Sequence, residues 1–274
     1  MMPTMRLHRS LTALLCAAAL TACEKNAVQE IAAPAPTTAI RFFNFAVNAP
    51  HMNFYAGDLK ITATLSALCP ITSTDQRCTT TGVEQTTGIQ FGSVGANGLY
   101  TGIEPGQYTV NGRLVAAGAD RGTKVVNTQV TIASGKLYSF YASGFYNTAT
   151  KTADGFIVED NFPAEFDWSR AYVRFVNGIS NSQPMTLYAV NTENAQEIAI
   201  GGTVAYKSGG AFVAVPVGSY DLRTRLDGST TNAIVRTGVP FQPGRVYTIT
   251  SRGDMTVVST TATNRPFLDN TLNR

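Results

Sequence analysis

Histidine is almost missing from this chain: among 274 residues there are only His8 and His51. One histidine outside the N-terminal leader cannot build the two- or three-histidine sites of most catalytic zinc enzymes. A Ser-His-Asp site would have to use His51, which follows Pro50 in a turn where an exposed, idle histidine is the expectation. Charge is also scarce, at 14% of residues. No basic run occurs, so the clustered Lys and Arg that neutralise phosphate are lacking and nucleic acid is not an expected partner. Phosphate loops, the Gly-x-Gly-x-x-Gly turn and the EF-hand loop are absent. Gly92-Ser93-Val94-Gly95 has the wrong spacing for a nucleophile elbow. No stretch carries a convincing helical stripe with caps. Nothing in the sequence calls for a cofactor.

What is present begins with an address. Arg6, His8 and Arg9 precede a short apolar run, Leu11 to Leu20, too short to span a bilayer. Leu20-Thr21-Ala22-Cys23 then resembles the lipobox of bacterial lipoproteins. That resemblance implies a signal peptide over 1–22, cleavage before Cys23, a lipid thioether on Cys23 and anchoring to a membrane of the cell envelope. Without Arg6 and Arg9 the formal charge falls from +3 to +1. Residues 23–38, with Ala-Pro-Ala-Pro at 33–36, read as an extended lipidated tether. No run beyond Cys23 is long and apolar enough for a second span. Cys16 leaves with the signal, so Cys69 and Cys78 remain. In an oxidising compartment that pair is expected as a disulfide, since two cysteines alone make a poor metal site.

The body of the chain repeats itself. Ile40-Arg41-Phe42-Phe43-Asn44 lines up with Val173-Arg174-Phe175-Val176-Asn177, and Met52-Asn53-Phe54-Tyr55-Ala56 with Met185-Thr186-Leu187-Tyr188-Ala189. Pro105-Gly106-Gln107-Tyr108 meets Val217-Gly218-Ser219-Tyr220. Ser134-Gly135-Lys136-Leu137-Tyr138-Ser139 meets Pro243-Gly244-Arg245-Val246-Tyr247-Thr248, with Gly144 and Gly253 closing the two copies. Alternation such as Val126, Thr128, Val130, Ile132 marks half-buried strands, and glycine pairs mark the turns between them. The expected fold is all-β: two tandem immunoglobulin-like antiparallel β-sandwich domains over 39–146 and 171–259. Residues 147–170 read as an acidic, aromatic linker that partly packs through Phe156, Phe162, Phe166 and Trp168, and 260–274 as a polar tail.

These repeated motifs resemble DUF4397, an extracytoplasmic domain of unknown function, over most of residues 39–258. The second copy is the closer match. The first has Asn44 and Asn48 where the family pattern runs to a His and an Asp-Ala run. The resemblance implies an envelope β-sandwich and transfers no catalytic residue.

Other constellations are weaker. Glu159-Asp160 and Glu165-Asp167 could pair as glycosidase acids or hold calcium, but solvated linker acids are the plainer expectation. Arg252-Gly253-Asp254 spells an adhesion tripeptide that fits a hairpin turn equally well. Tyr55 to Gly106 spans 51 positions against 30 from Tyr188 to Gly218, so the first copy carries 21 extra residues, and Cys69 and Cys78 lie among them. A disulfide there would stiffen a projecting loop or simply protect it. The resulting expectation is a non-enzymatic envelope lipoprotein, an interaction or scaffolding module whose partner is an envelope protein or polysaccharide. The alternatives are a carbohydrate-binding strand face of exposed aromatics and, behind it, a paired-acid enzyme.

Overall fold

A computed structural model of the chain describes residues 37–62, 65–67, 78–79, 82–84, 88–115 and 119–273, with backbone alone for the three short segments between 65 and 84. The described residues form one compact unit. Cys23 and Cys69, with the whole signal and most of the tether, lie outside the described residues. Cys78 begins a short strand of which only the backbone is described.

The chain folds as β-strands. The first lobe contains β1 (Ala39–Asn44), β2 (Met52–Ala56), β3 (Leu59–Lys60), β4 (Leu65–Ala67), β5 (Cys78–Thr79), β6 (Gly82–Glu84), β7 (Ser93–Val94), β8 (Thr101–Gly102), β9 (Gly106–Leu114), β10 (Lys124–Ile132), β11 (Leu137–Asn147) and β12 (Thr152–Glu159). The second lobe contains β13 (Arg170–Asn177), β14 (Met185–Asn191), β15 (Glu197–Val204), β16 (Ser208–Gly209), β17 (Val213–Pro216), β18 (Gly218–Leu226), β19 (Asn232–Phe241), β20 (Val246–Arg252) and β21 (Phe267–Leu272). Each lobe is a sandwich. In the first, the sheet β12-β11-β1-β7, with β8 also on β1, covers the sheet β10-β9-β2-β3. In the second, β16-β13-β20-β21, with β17 also on β13, covers β15-β14-β18-β19.

The all-β sandwich expectation holds, with one departure from a purely antiparallel layout. The first strand of each copy runs parallel to a late one: Ile40 pairs with Tyr138 and Val173 with Tyr247. The repeat read from sequence is therefore a repeat of ladder register.

The stretch read as a linker is largely a strand. β12 pairs with β11 from Tyr138↔Glu159 to Asn147↔Thr152. The stretch read as a tail likewise contributes β21 to the second inner sheet. Phe156 is buried as expected, but Trp168 is 65% exposed.

Paired tyrosines explain part of the repeat. Tyr108 and Tyr220 donate their hydroxyls to the carbonyls of Glu104 and Pro216, both at 2.8 Å. Tyr138 and Tyr247 accept the amides of Ala133 and Gln242, both at 3.2 Å. Each pair fixes a hairpin approach with one side-chain bond.

Why β1 and β13 are apolar almost throughout follows from the layering. Ile40 and Phe42 point into the first lobe's core, and Val173 and Phe175 into the second's. The alternate residues Phe43 and Val176 join Phe45, Tyr141 and Phe156 in a third cluster between the lobes. A strand buried on both faces loses its polar alternation.

Candidate functional site

The seam between the lobes gathers the buried charge of the molecule. Phe43, Tyr141 and Phe156 stack in sequence, with centroids 4.6 and 5.0 Å apart. Beside them Arg41, Arg174 and Asp160 are buried, with side-chain exposures of 0%, 2% and 0%. Arg174 pairs closely with Asp160, while Arg41 stands 3.8 Å from the same carboxylate. Tyr100 and Ser139 donate to its second oxygen at 2.5 and 2.7 Å. Burial, with Asp160 next, raises the Tyr100 hydroxyl well above the ordinary phenol range.

The arrangement is a pseudo-twofold built from the repeat. Arg41 Nε donates to Ser139 at 2.8 Å, and Arg174 Nε to Thr248 at 3.0 Å. Arg174 Nη1 donates to Glu159 O at 2.9 Å, and Arg41 Nη1 to Leu272 O at 3.5 Å. Tyr100 lies over the Arg41 guanidinium, and Phe212 over that of Arg174. Asp160 donates its amide to Leu137 O and Asn273 to Val246 O, both at 2.7 Å. Asn273, at the place of Asp160 in the second lobe, accepts from Arg41 Nη2 at 2.5 Å. Each arginine thus reaches the last strand of the opposite lobe. The sequence carried a signal for this in an arginine placed inside an apolar strand at the same register twice.

The chemical candidates disperse. His51 is exposed in the turn before β2. Asp160 is paired with Arg174 in the seam, and Glu159 bonds Lys136 at 2.7 Å on the surface. Asp167 accepts the amide and hydroxyl of its neighbour Ser169, whose bonds hold it below the usual carboxylate range. These acids do not share a cleft. Among the described residues no group of three or more His, Cys, Asp and Glu is placed to hold a metal. In the Arg252-Gly253-Asp254 tripeptide, Arg252 pairs with Asp269. Asp254 accepts from Asn181 at 2.8 Å and Thr256 at 2.7 Å. Gly253 has φ +109°, and a Cβ there would lie 2.1 Å from the Arg265 carbonyl. The tripeptide is an internal turn with both charges engaged.

The two ends of the body differ. The chain enters at Thr38, whose carbonyl accepts Ile103 N and whose hydroxyl accepts Gly135 N. Asn273 and Trp168 lie at this near end, the latter against Gly244. At the far end of β1, Asn44 donates to Ile89 O at 2.9 Å and its carbonyl accepts Gly92 N. Ile89 also bridges to Met52. Thr62, which accepts Phe54 N at 2.8 Å, and Ile89 flank the insertion. The insertion is therefore rooted toward the end opposite the one where the chain enters.

No family model matches the chain, and no curated protein does. Among solved structures, a protein from Bacteroides fragilis described as a "putative cell adhesion protein" aligns over 86% of this chain and 98% of its own, at 12% identity and a TM-score of 0.18. A likeness at that score carries no argument about fold or role.

Proposed function

We propose that the chain is a lipid-anchored, non-enzymatic envelope protein whose duplicated body holds an interaction surface away from the membrane. The observation that carries this reading is the placement of the insertion bearing Cys69 and Cys78. It roots toward the far end, while the tether from Cys23 joins the near end. The buried arginines supply rigidity, because the seam joins the lobes through charge pairs as well as aromatic packing. The envelope domain implied by the DUF4397-like motifs fits this placement. A strand-face platform for sugar fits less well, since the exposed large aromatics among the described residues, Phe145 and Trp168, sit at opposite ends.

The test has two arms. Cys23→Ser releases the protein from the membrane fraction or leaves its signal uncleaved; unchanged fractionation with normal processing overturns the anchor. Crosslinking in the intact envelope, repeated after residues 63–87 are shortened to the length of the second copy, reads the far end. Loss of a crosslinked partner with an intact fold supports the reading, and an unchanged pattern overturns the role of the insertion.

A further inference from the structure

At the far end of the second lobe three arginines meet one aromatic ring. The guanidinium carbons of Arg236, Arg252 and Arg265 lie 5.3, 5.1 and 5.0 Å from the centroid of Phe267. They come from β19, the end of β20 and the loop before β21. The one carboxylate that pairs into the group, among the described residues, is Asp269, which bonds Arg252. Burial pushes Asp269 above the ordinary carboxylate range against the pull of Arg252 first, then Arg236 and Arg265.

Three like charges around one acid leave an excess positive charge at this corner. Three guanidiniums hold five N–H groups each. Arg252 uses Nε on Asp269 and Nη1 on Thr263 O at 3.4 Å, Arg236 uses Nη1 on Leu268 O at 2.7 Å, and Arg265 uses Nη1 on Ala262 O at 2.9 Å. Among the described residues most of the donors have no protein partner. The guanidinium fork matches a planar or tetrahedral oxyanion; all three residues are part-exposed, Arg252 with 14% of its side chain exposed between the rings of Phe45, Phe91 and Phe267.

A groove of about 480 Å³ adjoins this cluster. Asp269 belongs to both. Val94 supplies part-exposed apolar lining, with Phe43 and Phe45 buried behind it, and Ser93, Asn97 and Thr271 supply hydroxyl and amide groups. Gly92, at φ +80°, lets the wall approach Arg252: a Cβ there would lie 3.0 Å from the guanidinium carbon. Apolar surface with hydroxyl, amide and carboxylate groups around it suits a sugar ring, whose faces are apolar and whose rim is hydroxylated.

We infer that this corner binds an acidic saccharide, its oxyanion held by Arg236, Arg252 and Arg265 and its ring seated in the groove beside Asp269. The inference goes beyond the anchored-module reading and does not depend on the lipid. The shared chemistry is an oxyanion on a hydroxylated ring, carried either as a uronate or as a sugar phosphate.

Calorimetric titration of the full chain tests it with four probes: glucuronate, glucose 1-phosphate, glucose and inorganic phosphate. Both acidic sugars should bind. Glucose should give no measurable heat, and phosphate should bind more weakly than glucose 1-phosphate. Preference for one acidic sugar over the other identifies the source. Arg265→Gln and Arg236→Gln should each weaken binding by about tenfold, the loss of one charge-assisted bond, and Asp269→Asn should tighten it. Arg265→Lys, which keeps the charge without the fork, should fall between and stands in if the glutamine variant fails to fold. Absence of binding by both acidic sugars overturns the site. Equal affinity for phosphate and glucose 1-phosphate overturns the role of the groove, and unchanged binding in folded arginine variants overturns the role of the cluster.

Discussion

The two lobes repeat the same seam, and an acid-for-amide difference at its heart sets the charge of the centre. The first lobe ends its last strand on Asp160 and the second on Asn273, each bonded to the same place in its own lobe. Arg41 and Arg174 are both present and both buried. The seam therefore holds two cations and one anion, and Asp160 serves both. Tyr100 adds a hydroxyl to Asp160 where the second lobe has Phe212 over its arginine. A duplicated interface has kept its cations and one of its two anion positions. Stability should depend far more on the acid that remains than on the amide opposite it.

The largest expected effect breaks that asymmetry. Asp160→Asn preserves shape and removes the one carboxylate that, among the described residues, faces the two arginines. Stripping one partner from a buried ion pair costs about 3–5 kcal/mol, because the remaining charges stay buried. Chemical denaturation of the full chain should show this loss, and should show the lobes uncoupling into two transitions. A loss below about 1 kcal/mol would mean that the seam is held by the Phe43–Tyr141–Phe156 stack alone.

The converse substitution sharpens the comparison. Asn273→Asp places a second carboxylate against Arg41 and balances the centre. Asn273 now donates to Thr248 at 2.8 Å. As an aspartate it would accept from the Thr248 hydroxyl, as Asp160 accepts from Ser139. The expected gain is about 1 kcal/mol, the margin by which hydrogen bonds to a charged group exceed neutral ones after desolvation. Destabilisation of similar size would show that the two acids repel across the seam more than each gains from its arginine.

Much of this fold could be read before the structure, and the seam could not. Strand alternation and turn glycines gave the sandwiches because each outer sheet keeps one wet face, as in Met185, Leu187 and Ala189. The aligned motifs gave the repeat because the paired tyrosines perform the same local bond in each lobe. Residues 147–170 read as a linker because acids such as Asp154 and Glu159 make strand β12 look like solvated loop. One of its faces packs into the seam through Phe156 while Glu159 turns to Lys136 on the surface. Arg41 and Arg174 stand inside the repeat, but a sequence pattern does not say that a strand has a second buried face. Only the partner across the seam makes an arginine between Ile40 and Phe42 intelligible. The cluster at Phe267 was hidden for another reason: its three arginines are spread over Arg236 to Arg265 and converge only when β19, β20 and β21 come together.

The smallest expected effect lies in a second mismatch between the lobes. Asn44 and Asn177 occupy the same place after the first strand of each copy, and both are fully buried. Asn177 is satisfied on both sides: its carbonyl oxygen accepts Ile179 N at 3.1 Å and Ser251 Oγ at 3.0 Å, and its amide donates to Val204 O at 3.2 Å. The amide of Asn44 donates to Ile89 O, but its oxygen is buried without a partner among the described residues. The reason lies on the neighbouring strand. Asn177 pairs in register with Ser251, and Asn44 with Ala142, so the first lobe has a methyl where the second has the donor. Ala142→Ser adds one oxygen and should supply the missing bond. A buried acceptor left unmade costs about 1–3 kcal/mol and a made bond returns about 1, while the added atom must fit a close-packed core. The expected outcome is stabilisation by about 1 kcal/mol in chemical denaturation, and Asn44→Ala in the same background should abolish the gain. If Ala142→Ser destabilises with or without Asn44, the hydroxyl has no room to reach the amide, and the first lobe has closed around the loss.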